Sequence, residues 1–398
     1  MVSEINIVET IEDKKSWFNI KRFRIGNADF QKPEKSLDIK NLDRLKYRNV
    51  KTGFNFYEAT KILKKYENIS KIYNADDAQI NKFFYRGEWL ATAKNVINFT
   101  FEFNPYNHVK TMEDLSWFFN QYYPYSKLFL TVPNIRIKRV DENNKTVRII
   151  DFESYKKFVD ETYKILNDKN NKPIFVPISM KFTMGQLTEL IEHYLKQDRY
   201  NYWFDFEGRS INENSLGRLR HIFNTLKTKK VFDSVVSYFT NIKREKLANS
   251  NEITSVASDA LSAVAGANLI GVNREPQIYF DPPPPKGGSN GVKALETKIR
   301  VPTCVDPSHK ARLFDRETYY YVKTANPDLH DKNIYVPLNA AKLNAEFSTQ
   351  SEYFLEHHNI ESLLNQKSMF KDEKAGNILK ELTSRSSLSM ANMADYFG

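Results

Sequence analysis

The chain has 398 residues, of which 41% are hydrophobic and 14% aromatic, so it can bury a sizeable core and is not disorder-like. Its one cysteine, Cys304, excludes an intrachain disulfide, a cysteine-rich zinc site and a cysteine-ligated iron–sulfur cluster. Lys and Arg number 59 against 49 Asp and Glu, a formal charge of +10 that favours polyanionic partners, nucleic acid first among them.

The N-terminus, Met1-Val-Ser-Glu-Ile5, has no basic segment followed by an apolar run. No stretch approaches ~18 consecutive apolar residues, so neither a signal peptide nor a membrane span is expected. With a single cysteine, this predicts a cytoplasmic setting. Residues 1–94 read as a basic, partly helical N-terminal extension. Within it, 17–25 reads as a strand with alternating basic residues. Lys40, Arg44, Lys46, Arg48 and Lys51 form a basic cluster, and 56–67 and 76–93 read as two helices.

A strand with strict alternation near its end is predicted over 95–103, stopped by Asn104-Pro105. Thr111 opens a helix whose apolar face is Met112, Leu115, Phe118, Phe119 and Tyr122. A strand over 127–132 ends at Pro133-Asn134. Residues 135–150 form a basic excursion of hairpin type with Arg136, Lys138, Arg139, Lys145 and Arg148, and 152–166 read as an amphipathic helix.

Residues 173–241 carry the clearest pattern: strand, helix, strand, helix, strand. The first strand is 173–179. Thr183 and Gln186 then have capping-box spacing, ahead of a helix with Met184, Leu187, Leu190, Ile191, Tyr194 and Leu195 on one face. The second strand is 202–207, stopped by Gly208, and the next helix shows Leu216, Leu219, Ile222, Phe223 and Leu226 on one face. The third strand is 235–239. Strands alternating with such helices imply parallel pairing and a sheet covered on both faces.

After residue 239 the pattern weakens. Residues 255–265 read as a short helix or strand and 268–272 as a strand. Asp281-Pro-Pro-Pro-Pro-Lys-Gly-Gly, inside a linker at 276–300, is the strongest break in the chain. The region 301–398 reads as mixed and mostly helical, with a strand at 317–323 and helices at 338–346, 349–366 and 371–386. These helices are candidates for contact with a protein partner or a second copy of the chain.

The expected fold is α/β: a (β/α)₈-type barrel over 95–275, whole or incomplete, with an open doubly wound sheet as the alternative. Neither the glycine-rich Rossmann signature nor a P-loop occurs, so nucleotide binding of those kinds lacks support. In a barrel, chemistry sits at the C-terminal strand ends. The carboxylates there are Asp205, Glu207 and Glu102, the candidate catalytic set. Residues two apart on a strand share a face, so Asp205 and Glu207 point the same way.

Around them, Arg209, Lys181, Arg136, Asn104, Asn134, Tyr238, Asn241 and Arg274 are the candidate substrate-binding residues. Buried acids need partners, and Arg209, Lys181 and Arg136 can supply them. A structural ion-pair network is the competing account. Such carboxylates suit cleavage of a glycosidic or N-glycosidic bond, and would also bind Mg²⁺ through oxygen. Nearby Arg and Lys suit a phosphate-bearing substrate. None of the seven histidines falls in a zinc-protease motif, and Cys304-Val-Asp-Pro-Ser-His309 reads as a turn.

Asp205, in Trp203-Phe-Asp-Phe-Glu207, resembles the strand-borne aspartate nucleophile of tRNA-guanine transglycosylases and their DNA-acting relatives. The resemblance covers residues 95–275 at the level of the fold. It implies a (β/α)₈ barrel and base exchange in a nucleic acid. That family's Asp-Ser-Gly-Gly turn and three-cysteine, one-histidine zinc set have no counterpart in this sequence. Three functions follow as expectations: a barrel acting on or binding nucleic acid, a glycosidase or other small-molecule enzyme, and a non-catalytic scaffold in a larger assembly.

Overall fold

A computed structural model describes residues 5–39, 54–73, 75–84, 94–108, 110–140, 146–168, 171–245, 253–274 and 311–385. The chain begins with an antiparallel sheet of β1 (Asn6–Glu12), β2 (Asn19–Ile25) and β3 (Ala28–Phe30). The strands that follow pair in parallel. They are β4 (Glu34–Lys35), β5 (Leu37–Asp38), β6 (Tyr57–Leu63), β7 (Asn95–Phe101), β8 (Leu130–Thr131) and β9 (Asn134–Ile135).

A hairpin of β10 (Lys138–Val140) and β11 (Thr146–Arg148) precedes β12 (Ile174–Ser179), β13 (Asn201–Asp205) and β14 (Val236–Thr240). After β15 (Thr254–Val256) comes β16 (Leu269–Ile270), and β17 (Arg312–Asp315) and β18 (Tyr320–Lys323) close the set.

One curled, all-parallel sheet has the order β4-β16-β14-β13-β12-β8. A second parallel sheet has the order β5-β6-β7-β9. The two share chain: β4 runs into β5 across Ser36, and β8 into β9 across Val132-Pro133. The parallel strands therefore include two segments before residue 95.

Helices lie between most strands, as parallel crossovers require. Nine α-helices fall among the described residues. Six occur before residue 230: α1 (Glu67–Tyr73), α2 (Asp77–Phe83), α3 (Thr111–Tyr122), α4 (Phe152–Asn167), α5 (Met184–Leu195) and α6 (Glu213–Thr228). The others are α7 (Lys332–His357), α8 (Ile360–Leu364) and α9 (Glu373–Leu382).

The starts of these helices follow from local chemistry. The Thr183–Gln186 capping box is present: Thr183 Oγ1 accepts from the Gln186 amide at 3.3 Å, and Gln186 Oε1 accepts from the Thr183 amide at 3.0 Å. Asp151 caps α4 through the Ser154 amide at 2.8 Å, and Asn212 with Ser215 forms a second box at α6. Each cap satisfies an N–H that has no partner within its helix.

Side-chain alternation divides the core in two. Residues of one parity, such as Tyr57, Ala59, Ile97, Phe99, Leu130, Val176, Ile178, Phe204 and Phe239, pack with the helices in the larger cluster. Residues of the other parity, including Phe56, Val96, Phe129, Phe175, Trp203, Tyr238 and Leu269, form a second cluster with Phe23, Ile25, Ala28 and Phe30 of β2 and β3. The N-terminal sheet thus closes over the strands' amino ends. Lys21 is buried beneath it and donates from Nζ to the carbonyls of Phe232 and Val235.

Several expectations are corrected. Residues 56–67, read as a helix, contain strand β6. In Phe56-Tyr-Glu-Ala-Thr-Lys-Ile-Leu63 both faces are largely buried, so the period-two signal is masked in a short run. The helix read at 76–93 is seen as Asp77–Phe83, and residues 85–93 lie outside the described residues. The strand read at 317–323 is present as Tyr320–Lys323, and with Thr254–Val256 it belongs to a separate antiparallel sheet.

The two helices read at 338–346 and 349–366 are largely one, α7, followed by α8. Helix α7 packs on β4 and β5, and Asn344 Oδ1 accepts from the Lys35 amide at 2.7 Å. The cluster at residues 40–51, the Pro/Gly-rich linker and Cys304-to-His309 lie outside the described residues. Among the described residues no helix is long and apolar enough to cross a membrane.

Candidate active site

Following each strand toward its C-terminal end along the inward parity, apolar residues give way to polar ones. Phe56 is followed by Glu58 and Thr60, Val96 by Asn98 and Thr100, Trp203 by Asp205 and Glu207. All of these are buried. Removal from water forces such groups to satisfy one another, and they do so in a connected network.

Asp205 sits at its centre and is fully buried. Its Oδ2 accepts from Asn134 Nδ2 at 3.0 Å and Thr100 Oγ1 at 3.3 Å. Its Oδ1 accepts from Asn241 Nδ2 at 2.8 Å and the Glu207 amide at 3.0 Å. Both oxygens are thus fully engaged as acceptors, two donors to each.

Glu207 is also buried, with Oε1 accepting from Ser179 Oγ and, at 3.3 Å, from Asn134 Nδ2. Its Oε2 lies 3.3 Å from Lys181 Nζ and 3.7 Å from Arg136 Nε. Burial, and then the Asp205 charge, push the Glu207 carboxyl up from its ordinary range, against the pull of Lys181. Arg136 also pairs through Nη1 with Glu102, so it bridges Glu102 and Glu207. Tyr155 donates its hydroxyl to Asn134 Oδ1 at 3.2 Å, which fixes the Asn134 amide with its nitrogen toward the acids.

The backbone here takes conformations that side chains rarely adopt. Glu207 has φ 48° and Asn241 φ 55°, both left-handed, and Gly208 has φ 81°. Gly208 N donates to the Asn241 carbonyl at 2.9 Å, locking the two strand ends together. The positive φ favours glycine at 208, and a Cβ there would stand 2.7 Å from Arg274 Cδ, so the Arg274 side chain would have to move aside. Non-glycine residues held in such regions concentrate at functional sites.

A further acid, Glu58, lies on β6 and was missed in the sequence. It is fully buried, and burial pushes its carboxyl upward. Oε1 accepts from Asn98 Nδ2 at 3.0 Å and Thr60 Oγ1 at 2.9 Å; Oε2 accepts from the Val272 amide at 2.8 Å and Ser36 Oγ at 3.2 Å. Asn98 Nδ2 also donates to Tyr238 OH at 2.8 Å. Glu58 and Thr60 recur at every second position, but apolar neighbours on the other face mask that period in so short a run.

Of the predicted residues, Asp205, Glu207, Glu102, Asn134, Asn241, Arg136 and Lys181 are brought together. Tyr238 lies instead beside Glu58 and Asn98. Arg274 covers Gly208 and donates from Nη1 to the Glu207 carbonyl at 3.4 Å rather than to a carboxylate. Asn104 accepts from the Tyr106 amide at 3.0 Å as the cap of a 3₁₀ turn. Arg209 is exposed and bonds through its backbone, its amide donating to the Phe206 carbonyl at 2.8 Å.

Among the described residues no group of three or more His, Cys, Asp or Glu side chains is arranged to hold a metal ion. Comparison with known protein families and with curated proteins finds no match to this chain.

Proposed function

We propose that the two parallel sheets, joined through 34–38 and 130–135, make up one eight-stranded (β/α)₈-type barrel. Its strands would run in sequence order, with the last, β16, returning to pair with β4. On this reading the carboxylates occupy the C-terminal end of the barrel, where such folds hold their chemistry.

We further propose that the chain acts on a nucleic acid by glycosyl transfer, with Asp205 as nucleophile and Glu207 as the acid that protonates the departing base. One observation carries this reading. A single amide nitrogen, Asn134 Nδ2, reaches both acids, at 3.0 and 3.3 Å. Their nearest oxygens are therefore at most about 6 Å apart, which suits the close spacing of double-displacement enzymes rather than a gap that admits water. The two environments also differ as the roles require. Glu207 is pushed toward its protonated form, while Asp205 meets only donors. The net charge of +10 and the resemblance of the Asp205 segment to base-exchanging enzymes point to the substrate class.

The test is incorporation of labelled guanine into tRNA and into DNA. Wild type should incorporate label and Glu207→Gln should lose at least about 100-fold in rate while keeping its fold. Absence of incorporation into any nucleic acid, together with binding indifferent to salt, would remove this reading. A structural network is favoured by one fact, the zero exposure of Asp205 with every oxygen engaged. If that account holds, Asp205→Asn costs stability and there is no turnover to lose.

A further inference from the structure

The hairpin of β10 and β11 begins two residues after Arg136, the side chain that reaches both Glu102 and Glu207. We propose that this hairpin is the arm that holds the phosphodiester backbone of a nucleic-acid strand, with Lys138 and Arg148 sharing one phosphate. The inference rests on the nucleic-acid reading above and does not require glycosyl transfer.

The root of the arm is fixed. The Ile149 amide donates to the Ile137 carbonyl at 2.7 Å, Ile150 is buried, and Asp151 caps α4. Beyond that hydrogen bond the register sets Lys138 opposite Arg148, then Arg139 opposite Val147 and Val140 opposite Thr146. Lys138 and Arg148 are therefore a pair of the closer, non-hydrogen-bonded kind, with both side chains on one face. Both are exposed, and among the described residues neither side chain makes an ion pair. Asp151 lies in the field of Arg148, but its oxygens accept from the Ser154 amide at 2.8 Å and the Ser154 hydroxyl at 2.7 Å.

Like charges set directly opposite weaken a ladder. A two-stranded ribbon is marginal in water on its own, and every residue of β11 is exposed, so packing does little to offset the repulsion. An anion between the two side chains turns that repulsion into two attractions. Arginine presents a planar fork and lysine a point charge, and both suit phosphate oxygens. Over residues 136–148 the sequence carries five cations and two acids, so this stretch is positive as a whole. At the acids themselves Lys181 and Arg136 keep the same sign, 3.3 and 3.7 Å from Glu207 Oε2. A strand crossing the acids therefore meets cations there and again on the arm. Such contacts hold the backbone and do not read the bases.

Anisotropy of a fluorescein-labelled oligothymidylate, titrated with the whole chain over a range of salt, tests this. On a single strand each phosphate contact adds about 0.7 to the slope of log K against log salt. Lys138→Gln with Arg148→Gln should make the slope shallower by about 1.4 and, by removing a repulsion, should not lower the melting temperature. Lys196→Gln with Lys229→Gln takes the same charge from exposed positions at the ends of α5 and α6, ahead of β13 and β14, and should leave the slope unchanged. Equal slopes for wild type and the hairpin variant would overturn the proposal. So would equal losses in the two double variants, the mark of net charge alone, or a hairpin variant that melts lower than wild type. Hairpin-dependent binding to phosphatidylserine vesicles, with none to oligothymidylate, would overturn it in favour of a membrane surface. A hairpin-dependent slope without guanine incorporation removes glycosyl transfer and leaves this arm standing; incorporation with a slope indifferent to the hairpin removes the arm alone.

Discussion

Asn134 Nδ2 stands 3.0 Å from Asp205 Oδ2 while its carbonyl oxygen, 3.2 Å from the Tyr155 hydroxyl, is held the other way. Because the same nitrogen reaches Glu207, one side chain separates two buried acids. Asn134→Ala should cost ~1–3 kcal/mol, the penalty for leaving buried acceptors without a donor. The loss should grow with pH. The Glu207 carboxyl is already raised in the folded state, so its favourable contribution is full at low pH and fades as pH rises through the folded value. Removing a neutral donor raises that value further. Urea unfolding of both proteins at several pH values measures the gap; a gap constant with pH would contradict the account.

Gly271 touches Glu58 so closely that a Cβ there would collide with the carboxylate, and it would stand 2.5 Å from Thr240 Cγ2. Both neighbours are buried and fixed. Gly271→Ala should therefore destabilise by ~2–4 kcal/mol, whereas Glu58→Gln, which keeps the size and puts an amide donor in place of one accepting oxygen, should cost a smaller ~1–2 kcal/mol. Chemical denaturation of the two variants gives the order, and equal losses would refute it.

Asp259 is fully buried, and burial pushes its carboxyl up to about 6. Lys35, Arg244 and Tyr321 face it and pull the other way. A raised folded value means stability is present below the ordinary value near 3.8 and is lost as pH climbs toward 6. The loss is about 3 kcal/mol at one or two units above the transition. Asp259→Asn stays neutral throughout and should show a flatter stability profile between pH 4 and 7, compared by denaturant titration at each pH.

Lys21 gives the opposite sign. Burial lowers its ammonium to about 8, so the folded state holds fewer protons than the unfolded chain between there and 10.5. Stability from this group rises with pH across that window. In Lys21→Met the rise should vanish, and the Val235 carbonyl loses this donor while the Phe232 carbonyl keeps only the Val235 amide, at 3.1 Å. The difference between the two pH profiles isolates the group from the tyrosines that titrate nearby in pH.

The alternation of strand and helix over 173–241 was legible because each element is long enough to show its period. The capping box at Thr183 and Gln186 fixed one boundary correctly. Asp205 and Glu207 could be placed on one face for the same reason. Strand β6 was not legible, because its outer face is buried too and the alternation that marks Glu58 is lost among apolar neighbours. Asn104 and Arg209 were equally polar and equally near strand ends. One caps a turn and the other faces solvent, and nothing local distinguishes those fates from a site.

By itself the sequence determined the α/β character and the parallel pairing of the central strands, since hydrophobic period and caps act over a few residues. Only the tertiary structure decided which acids meet. Contacts such as Asn134 to Asp205, or Lys35 to the Gly271 carbonyl, join residues 71 and 236 positions apart. They exist because burial removes water as a partner and leaves each polar group to find its complement on a neighbouring strand.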